Sequence, residues 1–301
     1  MTTLTPSLTL ADPQVCGPLA VFPILGPEPR LAYRTLARAV AAGAIVKELD
    51  GEAVVNDLLV DNVTDQPLLI YDGEEVLGAQ QNRTFDLSAL LGAGERVELP
   101  VSCVEHGRWD SSRSDDCFDI SPQAPDPSLR AMKRIQANLH AASGAVPRAN
   151  QGAVWDEVAA RLDRHDVASD TSALHDAFDH KGAEIDELLS VVHAVERQLG
   201  AVAAVRGRPV ALDLVSRPDA FADLLPRLAR GYALEALGVD SAVPDHDAAE
   251  AFLTATLEGA RTPTNVPGIA RGFAVRADGI VGAGLEHEGE LVQLSAFPRA
   301  P

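Results

Sequence analysis

The sequence has little cysteine, and it lacks the long apolar segments of membrane proteins. Only Cys16, Cys103 and Cys117 occur in 301 residues, and an odd, small number of cysteines gives no disulfide framework and fits a reducing compartment. No uninterrupted apolar run reaches the roughly 18 residues of a transmembrane helix, and the first residues do not resemble a signal peptide. We therefore expect a cytoplasmic protein with no membrane partner.

Basic residues are also scarce. The chain has 25 lysines and arginines against 44 acidic residues, a formal net charge of −19, and its only lysines are Lys47, Lys133 and Lys181. Non-specific nucleic-acid binding depends on neutralising phosphates, so this balance argues against a nucleic-acid partner. Any phosphate that the protein binds must be held by a local cluster of arginines.

Several motifs of well-known chemistry are missing from the sequence. It contains no His-Glu-x-x-His, no paired Cys-x-x-Cys, no Walker loop and no nucleophile-elbow pentapeptide. The glycines from Gly279 to Gly284 lie between predicted strands and lack the following helix of a dinucleotide-binding fingerprint. We predict no metal site and no bound cofactor.

The hydrophobic pattern that is present predicts an α+β fold. Residues 45–109 are a run of strands, including a hairpin over residues 54–63 and 68–71, and residues 21–25 are a short edge strand. Residues 128–199 have helical periodicity, and strands return over 201–215 and 272–297. We predict an antiparallel, sandwich-like part over residues 1–125 and a helical layer followed by strands over 126–301, either separate or continuous with the first.

Most of the unusual polar chemistry lies between residues 72 and 109. Asp72-Gly73 is a tight-turn dipeptide, and Gln81, Arg83 and Phe85 then alternate as in a strand. In the second strand, one face is apolar until it ends in Cys103 and Glu105. Because a carboxylate at the end of a buried face is costly unless it is paired, we predict a polar pocket at the edge of a sheet.

These residues carry a resemblance to a known bacterial family. Asp72-Gly-Glu-Glu-x-x-Gly-Ala-x-Gln-Asn-Arg83, followed by Pro100-Val-Ser-Cys-Val-Glu-x-Gly-Arg-Trp109, resembles the signature of the ARG and rhodanese-phosphatase-superfamily-associated domain. The resemblance covers most of the chain. It implies a link to metabolites of the ADP-ribose or NAD type through the association with ADP-ribosylglycohydrolases, and it brings no established reaction.

The charged residues of this stretch are the leading candidates for a site. Arg83 and Arg108 suit phosphate or carboxylate recognition, and Glu105 suits a ribose hydroxyl or a general-base role, with Glu74 as a second acid/base candidate. The structural alternative is an ion-pair cluster that closes the sheet edge. Glu74, beside a turn, is equally compatible with simple solvation.

Uncharged residues complete the predicted pocket. Gln81 shares the strand face of Arg83, and Asn82 points to the other face, so that only a twist or bulge brings both to one ligand. Trp109 is either a flat wall for stacking on a base or part of the core. Cys103 lines the site, but as a buried small apolar side chain it is a poor candidate nucleophile.

Three functional hypotheses follow. The first is a protein that binds a nucleotide-derived metabolite of the ADP-ribose or NAD type at residues 72–109. The second is an enzyme that hydrolyses or transfers an ADP-ribosyl group, with Glu105 or Glu74 as acid/base. The third is a non-catalytic scaffold for a partner enzyme that processes ADP-ribose. The sequence leaves all three open.

Overall fold

The computed structural model describes residues 7–49, 56–108 and 117–299 of the chain. The α+β fold class is confirmed: most strands pair antiparallel, and helices cover the sheets. The helices of the described residues are α1 (Leu36–Ala41), α2 (Pro127–Ala141), α3 (Gln151–Arg164), α4 (Leu174–His180), α5 (Gly182–Leu189), α6 (Pro218–Ala236) and α7 (His246–Glu258).

The strands of the described residues divide into three sheets. In chain order they are β1 (Thr9–Leu10), β2 (Gln14–Cys16), β3 (Leu19–Leu25), β4 (Arg34–Thr35), β5 (Ile45–Lys47), β6 (Asp57–Asp61), β7 (Leu68–Ile70), β8 (Glu75–Gly78), β9 (Arg83–Phe85), β10 (Ala89–Leu91), β11 (Arg96–Cys103), β12 (Phe118–Ile120), β13 (Gln198–Val205), β14 (Arg208–Val215), β15 (Ala260–Thr264), β16 (Arg271–Ala277), β17 (Ile280–His287) and β18 (Glu290–Pro298).

The largest sheet joins both ends of the described chain. Its order is β1-β3-β13-β14-β18-β17-β16-β15, with β2 also paired to β3. The predicted strands on either side of the Arg206–Pro209 turn and the three C-terminal strands are confirmed. Alternating residues feed two cores: α6 packs on one face of the sheet, and α7 packs on the other.

The signature strands belong to a second, six-stranded sheet that nearly closes on itself. Its order is β12-β8-β9-β11-β6-β5, and a bridge between Lys47 and Cys117 brings the two outer strands together. Apolar residues of alternate positions fill its interior, among them Val76, Phe85 and Val101. A small third sheet, β10-β7-β4, lies in the same part of the chain.

Helix α2 lies between these two sheets and presents cations to the interior. Its start agrees with the prediction, since Pro127 is the first helical residue and the Asp126 side chain accepts a hydrogen bond from Leu129 N at 3.1 Å. Arg130, Lys133 and Arg134, which lie on neighbouring turns of the same helix face, are at most 3% exposed. Arg130 pairs with Asp213 of β14, Lys133 with Asp86 directly after β9, and Arg134 with Asp72 in the turn before β8.

Two predicted strand pairings are wrong. Strands β6 and β7 do not form a hairpin, because β6 pairs with β5 and β11 whereas β7 pairs with β4 and β10. The intervening loop is held elsewhere: Asn62 Nδ2 donates to Gly92 O at 2.8 Å. Strand β3 is not an edge strand either, since β13 pairs with one side of it. Pro23 is tolerated because it falls between the partners β1 and β2 on the other side.

The helical region predicted over residues 128–199 ends earlier than expected. Helix α5 ends at Leu189, and Gln198 and Leu199 already belong to strand β13. The residues before β3 contribute the short strands β1 and β2.

Candidate functional site at the signature strands

The signature strands bring Arg83 and Cys103 directly opposite each other. Strands β9 and β11 pair with Cys103 against Arg83 and Val101 against Phe85. Because alternate residues share a face, Arg83 and Cys103 extend the apolar interior face of the six-stranded sheet at one end. The predicted face, apolar and then polar, is therefore present in the structure.

The turn before these strands depends on a glycine. Gly73 has a φ of +83°, and a Cβ atom at this position would lie 2.8 Å from Arg130 Nε. Only glycine satisfies both the backbone conformation and this close approach. The Asp72-Gly73 dipeptide thus lets α2 pack against the start of β8.

Arg83 is a fully buried cation with unused hydrogen-bond donors. Its side chain has 0% exposure, its Nη1 donates to Gln81 Oε1 at 3.2 Å, and its Nη2 lies 3.7 Å from Glu48 Oε1. Within the described part of the chain, Nε and Nη2 of Arg83 make no hydrogen bond. Burial lowers the pKa of Arg83 from its usual value, against the opposing effects of Cys103 and Glu48.

Glu105 and Arg108 form a closed ion pair. Arg108 Nε donates to Glu105 Oε1 at 2.8 Å, and Arg108 Nη2 donates to Oε2 at 2.7 Å, which is the bidentate geometry. Asn82 N and Thr171 Oγ1 donate to the same carboxylate at 3.1 and 3.0 Å. Burial alone would raise the pKa of Glu105, but these hydrogen bonds hold the pKa below its usual range.

The remaining donors of Arg108 bind the β8–β9 turn. Nη1 donates to Ala79 O at 3.0 Å, and Nη2 also approaches Asn82 Oδ1 at 3.1 Å. Gln81 faces the same group, because its Nε2 donates to Glu105 O at 2.8 Å. The structure therefore brings together Gln81, Asn82, Arg83, Glu105 and Arg108, and most of their polar atoms bond to one another.

Cys103 is held in a setting that disfavours the thiolate. Burial raises the pKa of its thiol, although Arg83 opposes this. Its backbone N and O are both bonded to the Gln151 side chain of α3, at 2.8 and 2.9 Å. His106 stacks on Trp155 with ring centroids 4.1 Å apart. The imidazole therefore packs against the indole ring and not against the Cys103 thiol.

Trp155, on α3, is half-buried at this site. Its Nε1 is buried beside the Cys103 thiol and opposes the rise that burial causes in the pKa of that thiol. Trp109, the predicted stacking wall, lies outside the described residues.

Glu74 belongs to a different group of side chains. Its Oε1 pairs with Arg227 Nη2 of α6 at 3.2 Å, and its Oε2 accepts from Tyr71 N at 2.8 Å. Burial raises the pKa of Glu74, and Arg227 opposes the shift. In the described ranges, neither oxygen of Glu74 contacts the group around Arg83 and Glu105.

The sequence did not point to several neighbours of the site. Glu48 directly follows β5, Gln151 begins α3 and Thr171 lies in the loop before α4, and nothing in their local pattern signals a shared location. Glu75 could have been singled out from the sequence, since it is the second of two adjacent carboxylates in the signature. In the structure it is 1% exposed. A search of the described residues finds no group of three metal-ligating side chains and no helix long and apolar enough to cross a membrane.

Comparison with protein families gives one result that covers nearly the whole chain. The model of the ARG and Rhodanese-Phosphatase-superfamily-associated Protein domain matches residues 7–297. Searches of curated proteins and of solved structures return no match.

Proposed function

The chain belongs to the ARG and Rhodanese-Phosphatase-superfamily-associated Protein domain family, and on this premise we propose that it binds a nucleotide-derived metabolite of the ADP-ribose or NAD type at its signature strands. The family name supplies the ligand class, through the association with ADP-ribosylglycohydrolases. The geometry supports a subset of the signature side chains as the ligand contacts.

The observation that carries the proposal is the state of Arg83. A buried guanidinium normally has its donors satisfied, because an unmade hydrogen bond in the interior costs about 1–3 kcal/mol or more. Among the arginines that the structure describes, Arg83 is the one with two fully buried guanidinium nitrogens, Nε and Nη2, that make no hydrogen bond to a described residue. A phosphate or carboxylate oxygen would accept from both nitrogens in a single bidentate contact.

Neighbouring groups fit the rest of such a ligand. The buried indole N–H of Trp155 lies beside the Cys103 thiol, and Gln81 already positions the Arg83 guanidinium. The Glu105–Arg108 pair and Asn82 then act as the frame that holds the β8–β9 turn beside the ligand. Since Arg83 has no exposed surface, binding requires a local opening, and the Arg108 side chain, 19% exposed, is at the accessible edge of the group.

Processing of the ligand would need an acid or base from the same stretch. Glu105 is hydrogen-bonded on both oxygens and its pKa is lowered, so it would act as a base only after Arg108 moves away. Glu74 has a raised pKa, which suits an acid, but it faces Arg227. A Glu105→Gln variant that binds ADP-ribose but does not turn it over would support an enzyme, and unchanged turnover would remove Glu105 from that role.

A scaffold for a partner enzyme is the second candidate, and one observation favours it. The signature side chains largely bond to one another, as expected of residues retained to hold the β8–β9 turn against β11 and the loop at Thr171. The family name itself refers to association with other proteins.

The two candidates predict different behaviour of a variant that lacks the buried charges. In the double variant Arg83→Met with Glu48→Gln, an apolar chain replaces a poorly bonded cation and the facing carboxylate becomes neutral. Replacing a buried ion pair by apolar or neutral groups of similar size is often neutral for stability. We therefore expect a melting temperature within a few degrees of the wild type, and affinity for ADP-ribose or NAD lowered by at least about tenfold.

Titration calorimetry and thermal melting of the same samples check this expectation. The matched control is Arg271→Gln, which removes an exposed arginine on β16 and should leave both quantities unchanged. A large fall in melting temperature with unchanged affinity would favour the scaffold, and a wild-type protein that binds neither ligand would overturn the binding proposal.

A further inference from the structure

A large cleft lies away from the signature strands, at the start of α2. Its volume is about 1220 Å³, and its walls come from the start of α2, the end of α3, the start of α5, the β13–β14 turn, the end of α6 and the residues after β18. No residue between 72 and 109 lines it. A cavity of this size admits a small-molecule ligand of the usual dimensions.

The cleft gathers positive charge in a strongly acidic protein. Five of the chain's 25 basic residues line it: Arg164, Lys181, Arg206, Arg208 and Arg299. Across the described ranges, the four arginines of this set make no ion pair; Lys181 pairs with Glu184 at 3.4 Å. Unpaired arginines that converge on one cavity are the local arrangement that an acidic protein needs to hold an anion.

Two of the three acidic residues that line the cleft already have bonding partners. Glu184 is the partner of Lys181. Glu235 accepts hydrogen bonds from Ser128 Oγ at 2.7 Å and from Ser128 N at 3.2 Å, at the first turn of α2. Asp166 is the third acidic lining residue, so cations outnumber acids five to three in this cavity.

A buried imidazole on the wall also lacks a partner. His165 is 7% exposed and lines the cleft, and its Nε2 makes no hydrogen bond within the described ranges. A buried polar atom without a partner is uncommon in folded proteins and calls for a specific explanation. A ligand oxygen in the cleft would supply the missing partner.

The turn that carries two of the arginines is built at a conformational cost. Arg206 has a φ of +53° and Gly207 a φ of +74° in the two-residue connection between β13 and β14. Glycine, asparagine or aspartate is preferred at the first of these positions, because a Cβ atom disfavours the left-handed region and only the short polar side chains of asparagine and aspartate offset this by bonding to the nearby backbone. An arginine placed there points to a use for its guanidinium beyond the turn itself.

We propose that this cleft binds a phosphate-bearing small molecule, with Arg206, Arg208 and Arg164 as its main anion contacts and His165 as a hydrogen-bonding neighbour. The proposal does not depend on the function suggested for Arg83. A polynucleotide is disfavoured as the occupant, because the formal net charge of −19 repels a long phosphate backbone.

Titration calorimetry of the full chain with inorganic pyrophosphate at low ionic strength tests the proposal. The variant is Arg206→Asn with Arg208→Gln, since asparagine tolerates the positive φ and both changes lie in an exposed turn. We expect saturable binding to the wild type and a loss of at least about tenfold in the variant, because each lost guanidinium removes charge-assisted hydrogen bonds.

Two controls separate this site from others. Arg271→Gln, an exposed arginine on β16, should bind pyrophosphate like the wild type, and so should the Arg83→Met, Glu48→Gln variant, because its changes lie outside the cleft. The absence of saturable binding to the wild type would overturn the proposal, as would an equal loss of affinity in the Arg271→Gln control. A loss confined to the Arg83 variant would also contradict it and would place the anion at the signature strands.

Discussion

At the scale of single residues, the signature contains a carboxyl group whose protonation is coupled to folding. Glu75 is 1% exposed, and its Oε2 accepts a hydrogen bond from Ser121 Oγ at 2.6 Å, while no described residue bonds to its Oε1. Burial raises the pKa of Glu75 to about 7, and the hydrogen bonds from Ser121 and Gln123 only partly offset this. The folded state therefore holds a proton that the unfolded chain releases at lower pH.

This shift predicts a pH dependence of stability at one residue. Because the folded pKa lies above the unfolded value, the stabilising effect of protonated Glu75 is complete in acid and is lost as pH rises through about 7. Glu75→Gln imitates the protonated form and does not titrate. From pH 5 to pH 8, its free energy of unfolding should therefore rise relative to the wild type, by up to about 3 kcal/mol.

Urea unfolding at a series of pH values measures this difference. Glu250→Gln, at an exposed position on α7, should follow the wild-type profile. If the difference between Glu75→Gln and the wild type stays constant across the pH range, Glu75 is ionised in the folded protein and the assignment is wrong.

The sequence predicts some of these residue positions for a simple reason. Side-chain alternation on a strand places Gln81 and Arg83 on one face, and the structure bonds their side chains at 3.2 Å. The same alternation places Cys103 at the end of an apolar face. The partners of these residues could not be predicted, since Glu48, Gln151 and Thr171 reach the site only through pairings between distant segments.

At the scale of elements, α2 is unusual because its buried face is charged. Arg130 makes two hydrogen bonds to Asp213, at 2.6 and 2.9 Å, and Tyr71 donates to the same carboxylate at 2.7 Å. Lys133 pairs with Asp86 at 3.0 Å. The helix thus connects the two large sheets through ion pairs that have little or no contact with water.

Breaking the central pair should destabilise the protein strongly. Arg130→Met leaves the Asp213 carboxylate buried without its cation, and the loss of one partner of a buried pair costs about 3–5 kcal/mol. The matched control is Arg38→Met, which removes a side chain that is 47% exposed from its pairs with Asp219 and Asp223 and should cost about 1 kcal/mol or less.

Chemical denaturation gives the free energy of unfolding for both variants. Equal destabilisation by Arg130→Met and Arg38→Met would show that the interior pairs contribute no more than surface ones, and the assigned role of α2 would then be wrong.

The start of a helix is predictable from the sequence where a proline or a capping side chain marks it. Helices α2 and α6 begin at Pro127 and Pro218, and the side chains of Asp126 and Asn150 cap α2 and α3, which are start signals that a sequence shows directly. The end of α5 was not predictable. The segment after it is held by Gln14, whose side chain bonds to the backbone N and O of His193 at 2.8 and 2.9 Å, and this contact joins residues 179 positions apart.

At the scale of the whole molecule, the ends of the described chain meet in one sheet. Strand β3 pairs with β13, and β14 pairs with β18, so that early and late segments share a single nine-stranded sheet. Composition and periodicity gave the α+β class correctly because they report the content of helices and strands. They carry no information on which strands pair across long separations, which is why a hairpin of β6 with β7 was predicted and does not form.

The chain therefore has two separate candidate binding regions: the enclosed group around Arg83 and the open cationic cleft at the start of α2. The first is the central claim, since it follows from the family signature and from the unused donors of Arg83. Because a ligand could occupy either region, locating it requires a method that reports on every segment of the backbone.

Hydrogen–deuterium exchange of the full chain, measured by mass spectrometry with and without saturating ADP-ribose, is the most direct test. The account predicts slower exchange in peptides that cover residues 78–85 and 101–108, because a ligand bonded to Arg83 would hold β9 and β11 together. Exchange that is unchanged in these peptides, whether or not residues 205–210 of the cleft are protected, would contradict it.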